Sequence, residues 1–142
     1  MVEFLAFEFQ LTDPLGPVGP DEPRTALVDN VVGDFRLFAG SELIYRDADF
    51  PLLELVLALT QWLGQARSRG GEFAFVSRSS AVGPLFRFLR GYDGWHVTSI
   101  QRPLPSSFVY SLDELVAATA AFVAEASEAM QARHGLHALR RD

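Results

Sequence analysis

The chain has no cysteine, and its twelve basic residues are all arginine, with no lysine among them. Without cysteine there is no disulfide framework, no thiolate nucleophile and no Cys-ligated metal site, and the redox compartment stays open. Nor does any apolar run reach the length of about 20 residues that a membrane-crossing helix needs. The nearest candidate, RDADFPLLELVLALTQWLGQ over 46–65, is interrupted by Glu54 after two leucines and its apolar run ends by Gly64. The opening MVEFLAFEFQL has no basic stretch and carries Glu3 and Glu8, so it does not read as a secretory signal, and a cytoplasmic location is expected. A Gly-x-Ser-x-Gly elbow is missing, as is any glycine-rich turn leading from a strand into a helix, and no internal repeat is visible.

What is present is a chain of 142 residues, 49% hydrophobic and with 12 Phe, long enough for one domain with a dense aromatic core. A single α+β domain over 1–142 is expected, with a Pro/Gly-rich loop at 12–24 and a frayed tail at 135–142. Net charge is −6, unevenly spread: residues 1–66 hold 11 Asp/Glu against 3 Arg (−8), and residues 67–142 hold 7 against 9 (+2). An acidic half repels phosphate backbones, so nucleic acid is not an expected partner. A basic protein is.

Hydrophobic periodicity supplies the architecture. In VEFLAFEFQL, Leu5, Phe7, Phe9 and Leu11 share one face, the period of a half-buried strand. TALVDNVVGDFRLFAGSELIYRD reads as a hairpin: Leu27, Val31, Phe35 and Leu37 share a parity, Gly33 suggests a bulge, and AGSE supplies the turn. A helix follows, with Asp49 as its expected cap and Pro51 in its first turn. Its polar stripe is narrow (Glu54, Ala58, Gln61, Gln65), which predicts an interior helix against a curved sheet. EFAFVSR, GPLFRFLR and GWHVTSIQ are the next strands, the last two joined by the turn GYDG. SLDE opens the last helix as a capping box of Ser111 and Glu114, with Gly135 as the expected stop. The expectation is α+β: a curved, mainly antiparallel sheet of about six strands in the order β-β-β-α-β-β-β-α, with two helices on one face.

Candidates for chemistry are few. His96, on the strand face opposite Trp95 and Val97, has the reading of a general base and the plainer one of a solvated strand histidine. His134 and His137 lack a third ligand, and Asp47 with Asp49 in RDAD supplies too few oxygens for a hard cation. Ser77 to Ser80 has no base at motif spacing. No catalytic residue, metal site or cofactor is expected. The acidic residues Asp21, Glu22, Asp29, Asp34 and Asp47 cluster in one loop-and-hairpin region, together with Asp49, and are the expected partner-binding surface, weighed against simple solubility.

YRDADFPLLELVLALTQWL, GYDGWHVTSI and SLDELVAATAAFVAEA, in this element order, resemble a group of small uncharacterised actinobacterial proteins, and the all-arginine base set with abundant alanine looks like the codon bias of a GC-rich genome. More loosely, the organisation is similar to immunity proteins of bacterial toxin systems. That resemblance implies a non-enzymatic domain that neutralises or adapts a partner protein by binding it. The alternative is a small-molecule-binding or enzymatic domain with a pocket between the first helix and the sheet. A homodimer is compatible with either.

Overall fold

The computed structural model describes residues 4–12, 31–77, 82–103 and 108–134. Its elements are β1 (Leu5–Leu11), β2 (Val32–Ala39), β3 (Glu42–Pro51), α1 (Leu52–Arg69), β4 (Phe73–Phe75), β5 (Phe86–Gly91), β6 (Gly94–Ser99) and α2 (Leu112–His134). The fold is α+β, with the expected strands and helices in the expected order. The six strands divide into two antiparallel sheets, β1-β2-β3 and β4-β5-β6.

The alternation seen in the sequence is what sorts the two faces. On β1, Phe7 and Phe9 turn inward onto Phe122 of α2, with ring centroids 4.8 and 5.6 Å away, while Glu8 and Gln10 are exposed. On β2, Gly33, Phe35, Leu37 and Ala39 are buried, continuing the parity that Val31 begins. Leu27 lies outside the described residues. The pairing of β2 with β3 slips at two places, between Gly33 and Phe35 and between Leu37 and Phe38. The second slip leaves Ile44 without a cross-strand partner, which breaks the alternation and lets the consecutive Ile44 and Tyr45 both be buried.

Both sheets turn their inner faces to one aromatic cluster. Phe35 of β2 stacks on Phe50 (4.6 Å) and Phe86 of β5 (6.0 Å), and Phe75 of β4 lies 5.3 Å from Phe50. Helix α1 closes the cluster with Trp62, 5.3 Å from Phe88, and with the fully buried Leu52, Leu55, Val56 and Leu59. Each such leucine contributes roughly 1.5–3 kcal/mol by leaving water. The helix is thus interior, and its partly wet stripe is Glu54, Ala58, Gln61 and Gln65, as the spacing predicts.

One expectation about α1 is corrected. Asp49 is not its cap: the N-cap position is Pro51, with no side-chain cap bond. Strand β3 runs straight into the helix, so Asp49 lies within the strand and no loop exists for its carboxylate to fold back. The first helical N–H, of Leu52, is satisfied instead by the Val31 carbonyl at 3.1 Å. The helix continues past Gly64, where its apolar run ends. It runs on to Arg69 and ends at Gly70, left-handed, whose N–H donates to the Ala66 carbonyl at 2.8 Å. The Trp62 indole N–H donates to the Gly71 carbonyl at 2.8 Å and ties that end down.

The α2 capping box is formed as read: Glu114 N–H donates to Ser111 Oγ (3.1 Å) and Ser111 N–H to Glu114 Oε1 (2.9 Å). Gly135 lies outside the described residues. SSFVY contributes Tyr110, which exchanges both backbone hydrogen bonds with Trp95 at the edge of β6.

The two sheets meet where β3 passes β6, and side chains make the join. Gln101 accepts from the Arg46 N–H (2.9 Å) and donates to the Arg46 carbonyl (2.8 Å). The buried Ser99 hydroxyl donates to the Ile44 carbonyl (2.5 Å) and accepts from the N–H groups of Gln101 (3.1 Å) and Arg102 (2.9 Å). Arg102 reaches Glu42 at 3.8 Å across the same seam.

Two substitutions probe this arrangement. A Cβ on Gly33 would run into the Gln10 carbonyl of β1 and the Leu52 side chain of α1. Gly33→Ala is therefore expected to cost about 1–3 kcal/mol through overpacking, read as a lowered urea midpoint with unchanged slope. Ser99→Ala takes the hydroxyl away from the Ile44 carbonyl and the Gln101 N–H, while the Arg102 N–H keeps the Ser99 carbonyl at 3.1 Å. It is expected to cost about 1–3 kcal/mol, seen in the same titration.

Candidate functional site

The acidic surface expected from the sequence is only partly within view. Asp21, Glu22 and Asp29 lie outside the described residues. Asp34 and Asp47 sit on neighbouring strands, but not on one face. Residues directly opposite on an antiparallel pair share a face. Arg36 stands opposite Glu8 on β1 and Arg46 on β3, which fixes the outward row, and Asp34 belongs to it. Asp47 stands opposite Phe35 and so belongs to the inward row, where it is half-buried. The bulge at Ile44 is the reason: counted from the turn, the register would set Asp47 opposite Asp34, and the one extra residue on β3 moves it opposite Phe35 instead.

On the outward face Asp34 is held between two arginines. Its Oδ2 lies 3.3 Å from the Arg36 guanidinium and its Oδ1 3.8 Å from Arg46 Nε, with the Asp34 side chain 23% exposed. Arg36 and Arg46 are directly opposite each other, a like-charge pairing that a carboxylate between them offsets. Glu8, Phe9, Gln10, Asp34 and Arg36 line a shallow cleft of about 180 Å³ here. Its character is mixed: Glu8, Asp34 and Arg36 line it, and Arg46 reaches Asp34 beside it, so the acidity of the N-terminal half is not concentrated on this face. Exposed pairs of this kind each contribute about 0–1 kcal/mol.

Asp47 does local work. Its Oδ1 accepts the Asp49 N–H at 2.9 Å, and its Oδ2 accepts from the Tyr45 hydroxyl at 3.4 Å. Burial, then the Asp47 charge and hydrogen bond, push the Tyr45 phenol up to about 12.

The second cleft, about 500 Å³ and open, lies at the tip of the β5–β6 hairpin. Arg90, Tyr92, Asp93, Trp95, Val109 and Tyr110 are among the residues that line it. Tyr92 is wholly exposed at the turn. Behind the tip, His96 Nε2 and Asp93 Oδ1 are 2.8 Å apart, and that hydrogen bond holds the Asp93 carboxyl below the usual carboxylate range. With Asp93 ionised, Nε2 carries the hydrogen and donates. The other ring nitrogen, Nδ1, is buried with no hydrogen-bond partner. The bond to Asp93 makes the His96 ring a strut that ties the turn to β6.

The chain belongs to the DUF7878 family. This domain of unknown function matches residues 7–132, from β1 to the end of α2. No curated protein and no solved structure matches the chain.

Within this DUF7878 domain the space between α1 and the sheets is taken up by the buried rings of Phe35, Phe50, Phe75, Phe86 and Phe88. Among the described residues no three metal-ligating side chains converge, and no helix is long and apolar enough to cross a membrane. His137 and most of Ser77 to Ser80 lie outside the described residues. The fully buried Thr119 hydroxyl has no hydrogen-bond partner, and nothing in its surroundings explains it. The Asp93–His96 pair and the splitting of the carboxylates were not foreseen. The spacing of three in DGWH, across a tight turn, is the signal that would have found the first. The bulge hid the second.

Tyr45 gives a pH test. Its folded-state pKa lies above the unfolded value of about 10, so the unfolded chain releases the phenolic proton first. Its contribution is complete below pH ~10 and is lost as pH rises toward ~12, a loss of roughly 2 kcal/mol. Tyr45→Phe is expected to be within about 1 kcal/mol of wild type at neutral pH and to lose less stability on alkaline titration, measured by urea unfolding at each pH.

Proposed function

We propose that this DUF7878 chain is a cytoplasmic, non-enzymatic protein-binding domain, similar to the immunity proteins of bacterial toxin systems and of actinobacterial type, that neutralises or adapts a basic partner protein. The observation that carries this reading is the charge of −8 on residues 1–66 against +2 on the rest. Within that half, residues 13–30 hold Asp13, Asp21, Glu22 and Asp29 against Arg24 alone, whereas Asp34 is bridged by Arg36 and Arg46. Asp21, Glu22 and Asp29 are therefore assigned the larger share of direct contact with the partner, with Asp34 and Asp47 secondary there. The filled interior beneath α1 supports a binding role over one that encloses a small molecule.

The test uses a stoichiometric partner co-purified from the native host. Reversing Asp21, Glu22 and Asp29 to arginine together is expected to slow association by roughly tenfold or more and to flatten its salt dependence. Reversing Asp34 should change it less. Association that ignores both salt and the triple reversal would remove the acidic surface from the account.

A further inference from the structure

The turn Gly91-Tyr92-Asp93-Gly94 places an Asp-Gly link at the most protruding point of the β5–β6 hairpin. Two structural facts keep it there. Gly94 has φ +137, and a Cβ on it would lie 2.5 Å from Val109 Cγ1 and 3.0 Å from the Tyr110 carbonyl oxygen, so only glycine fits. Asp93 is bonded to His96 across the turn at 2.8 Å. An aspartate followed by glycine is the pair whose side-chain carboxyl is most open to attack by the next backbone nitrogen, because no side chain shields that nitrogen. The Asp93 side chain is 40% exposed, so water reaches it, whereas that of His96 is only 18% exposed and held in the sheet.

We propose that the Asp93–Gly94 link is a site of spontaneous covalent modification, isomerisation of Asp93 to isoaspartate, and that His96 guards it. In the first step the Gly94 nitrogen bonds to Asp93 Cγ, the Cγ–OH bond breaks, and the hydroxyl leaves with the amide hydrogen as water, closing a five-membered imide. In the second step water adds to the former backbone carbonyl carbon and the bond from that carbon to Gly94 nitrogen breaks. The chain then runs through Cγ, one methylene longer, and the free carboxylate sits on the former main-chain carbon. One water leaves and one enters, and nothing is oxidised or reduced.

To close the ring Asp93 must swing Cγ onto the Gly94 nitrogen, which means giving up the bond from Oδ1 to His96. That bond also keeps the carboxyl ionised, the form that expels its oxygen least readily, in line with its lowered pKa. Once formed, isoaspartate would lengthen the turn, undo the Gly91–Gly94 pairing and reshape the cleft between the tip and Tyr110.

The experiment ages the full chain at neutral pH in heavy-oxygen water and follows the peptide spanning the tip by mass and retention against a synthetic isoaspartyl standard. Wild type is expected to isomerise roughly tenfold more slowly than the same chain unfolded in denaturant, the weight of one hydrogen bond to a charged group. His96→Ala, still folded by circular dichroism, should approach the unfolded rate. His96→Gln, whose amide can donate to Asp93, should stay near wild type. Where His96→Ala does not fold, His96→Asn, too short to reach Asp93, carries the same comparison. Equal rates in wild type and the folded, unguarded variant would overturn the guard, and an unfolded chain that forms no isoaspartate would overturn the site itself.

Discussion

The two sheets meet at β3 and β6 without a backbone ladder, and the Ser99 hydroxyl and the Gln101 amide supply the hydrogen bonds that a ladder would have made. A side-chain amide has the donor and acceptor of a peptide group, so Gln101 can satisfy both polar atoms of Arg46 from outside the strand. Ser99 does the complementary task one turn earlier, meeting a carbonyl of one sheet and two N–H groups of its own chain. The rest of the structure depends on this join. Held there, the inner faces of both sheets address one cluster, and Phe35 of the first sheet can stack on Phe86 of the second. The same join occupies the outer edge of β3 at Arg46, where an open strand would otherwise present pairing groups to another chain.

The features of this fold that were readable in advance are those set by local rules. Ser111 and Glu114 cap a helix because three residues separate them, whatever else surrounds them. Leu5 to Leu11 and Val31 to Leu37 declare a strand by period two, and Gly33 announces a bulge because only glycine lets β1 and α1 come so close. What could not be read is whatever depends on which strand lies beside which. Nothing local to Gln101 says that its amide will stand in for a strand. Asp49 had the chemistry of a cap, but β3 continues through it into Pro51, and a residue inside a strand cannot also fold back over a helix start.

The candidate site was less legible than the fold, for a physical reason. A charge cluster in sequence is one-dimensional, whereas a surface is sorted by parity. A single extra residue on β3, Ile44, leaves Asp34 on the outer face and sends Asp47 to the inner one. Each then finds a different occupation: Asp34 relieves two arginines that face each other across the sheet, and Asp47 accepts from the Tyr45 hydroxyl and the Asp49 N–H. The net charge of the N-terminal half is unaffected by this sorting, because long-range steering responds to the sum and not to the pairing. Pairing removes local contact energy from the recognition surface but leaves the field that brings a partner in.

The hairpin tip shows the opposite relation between order and chemistry. Tyr92 buries nothing, and Gly91 and Gly94 give the turn no side chains to pack, so rigidity there has to come from elsewhere. It comes from Tyr110, which pairs with Trp95 on one side, and from His96, which binds Asp93 on the other. Both act by occupying polar groups that would otherwise face water or each other. His96 clasps the turn through one nitrogen, while the other is buried without a hydrogen-bond partner. The polar side chains best placed in this structure, Ser99, Gln101 and His96, are all spent on holding backbone in position.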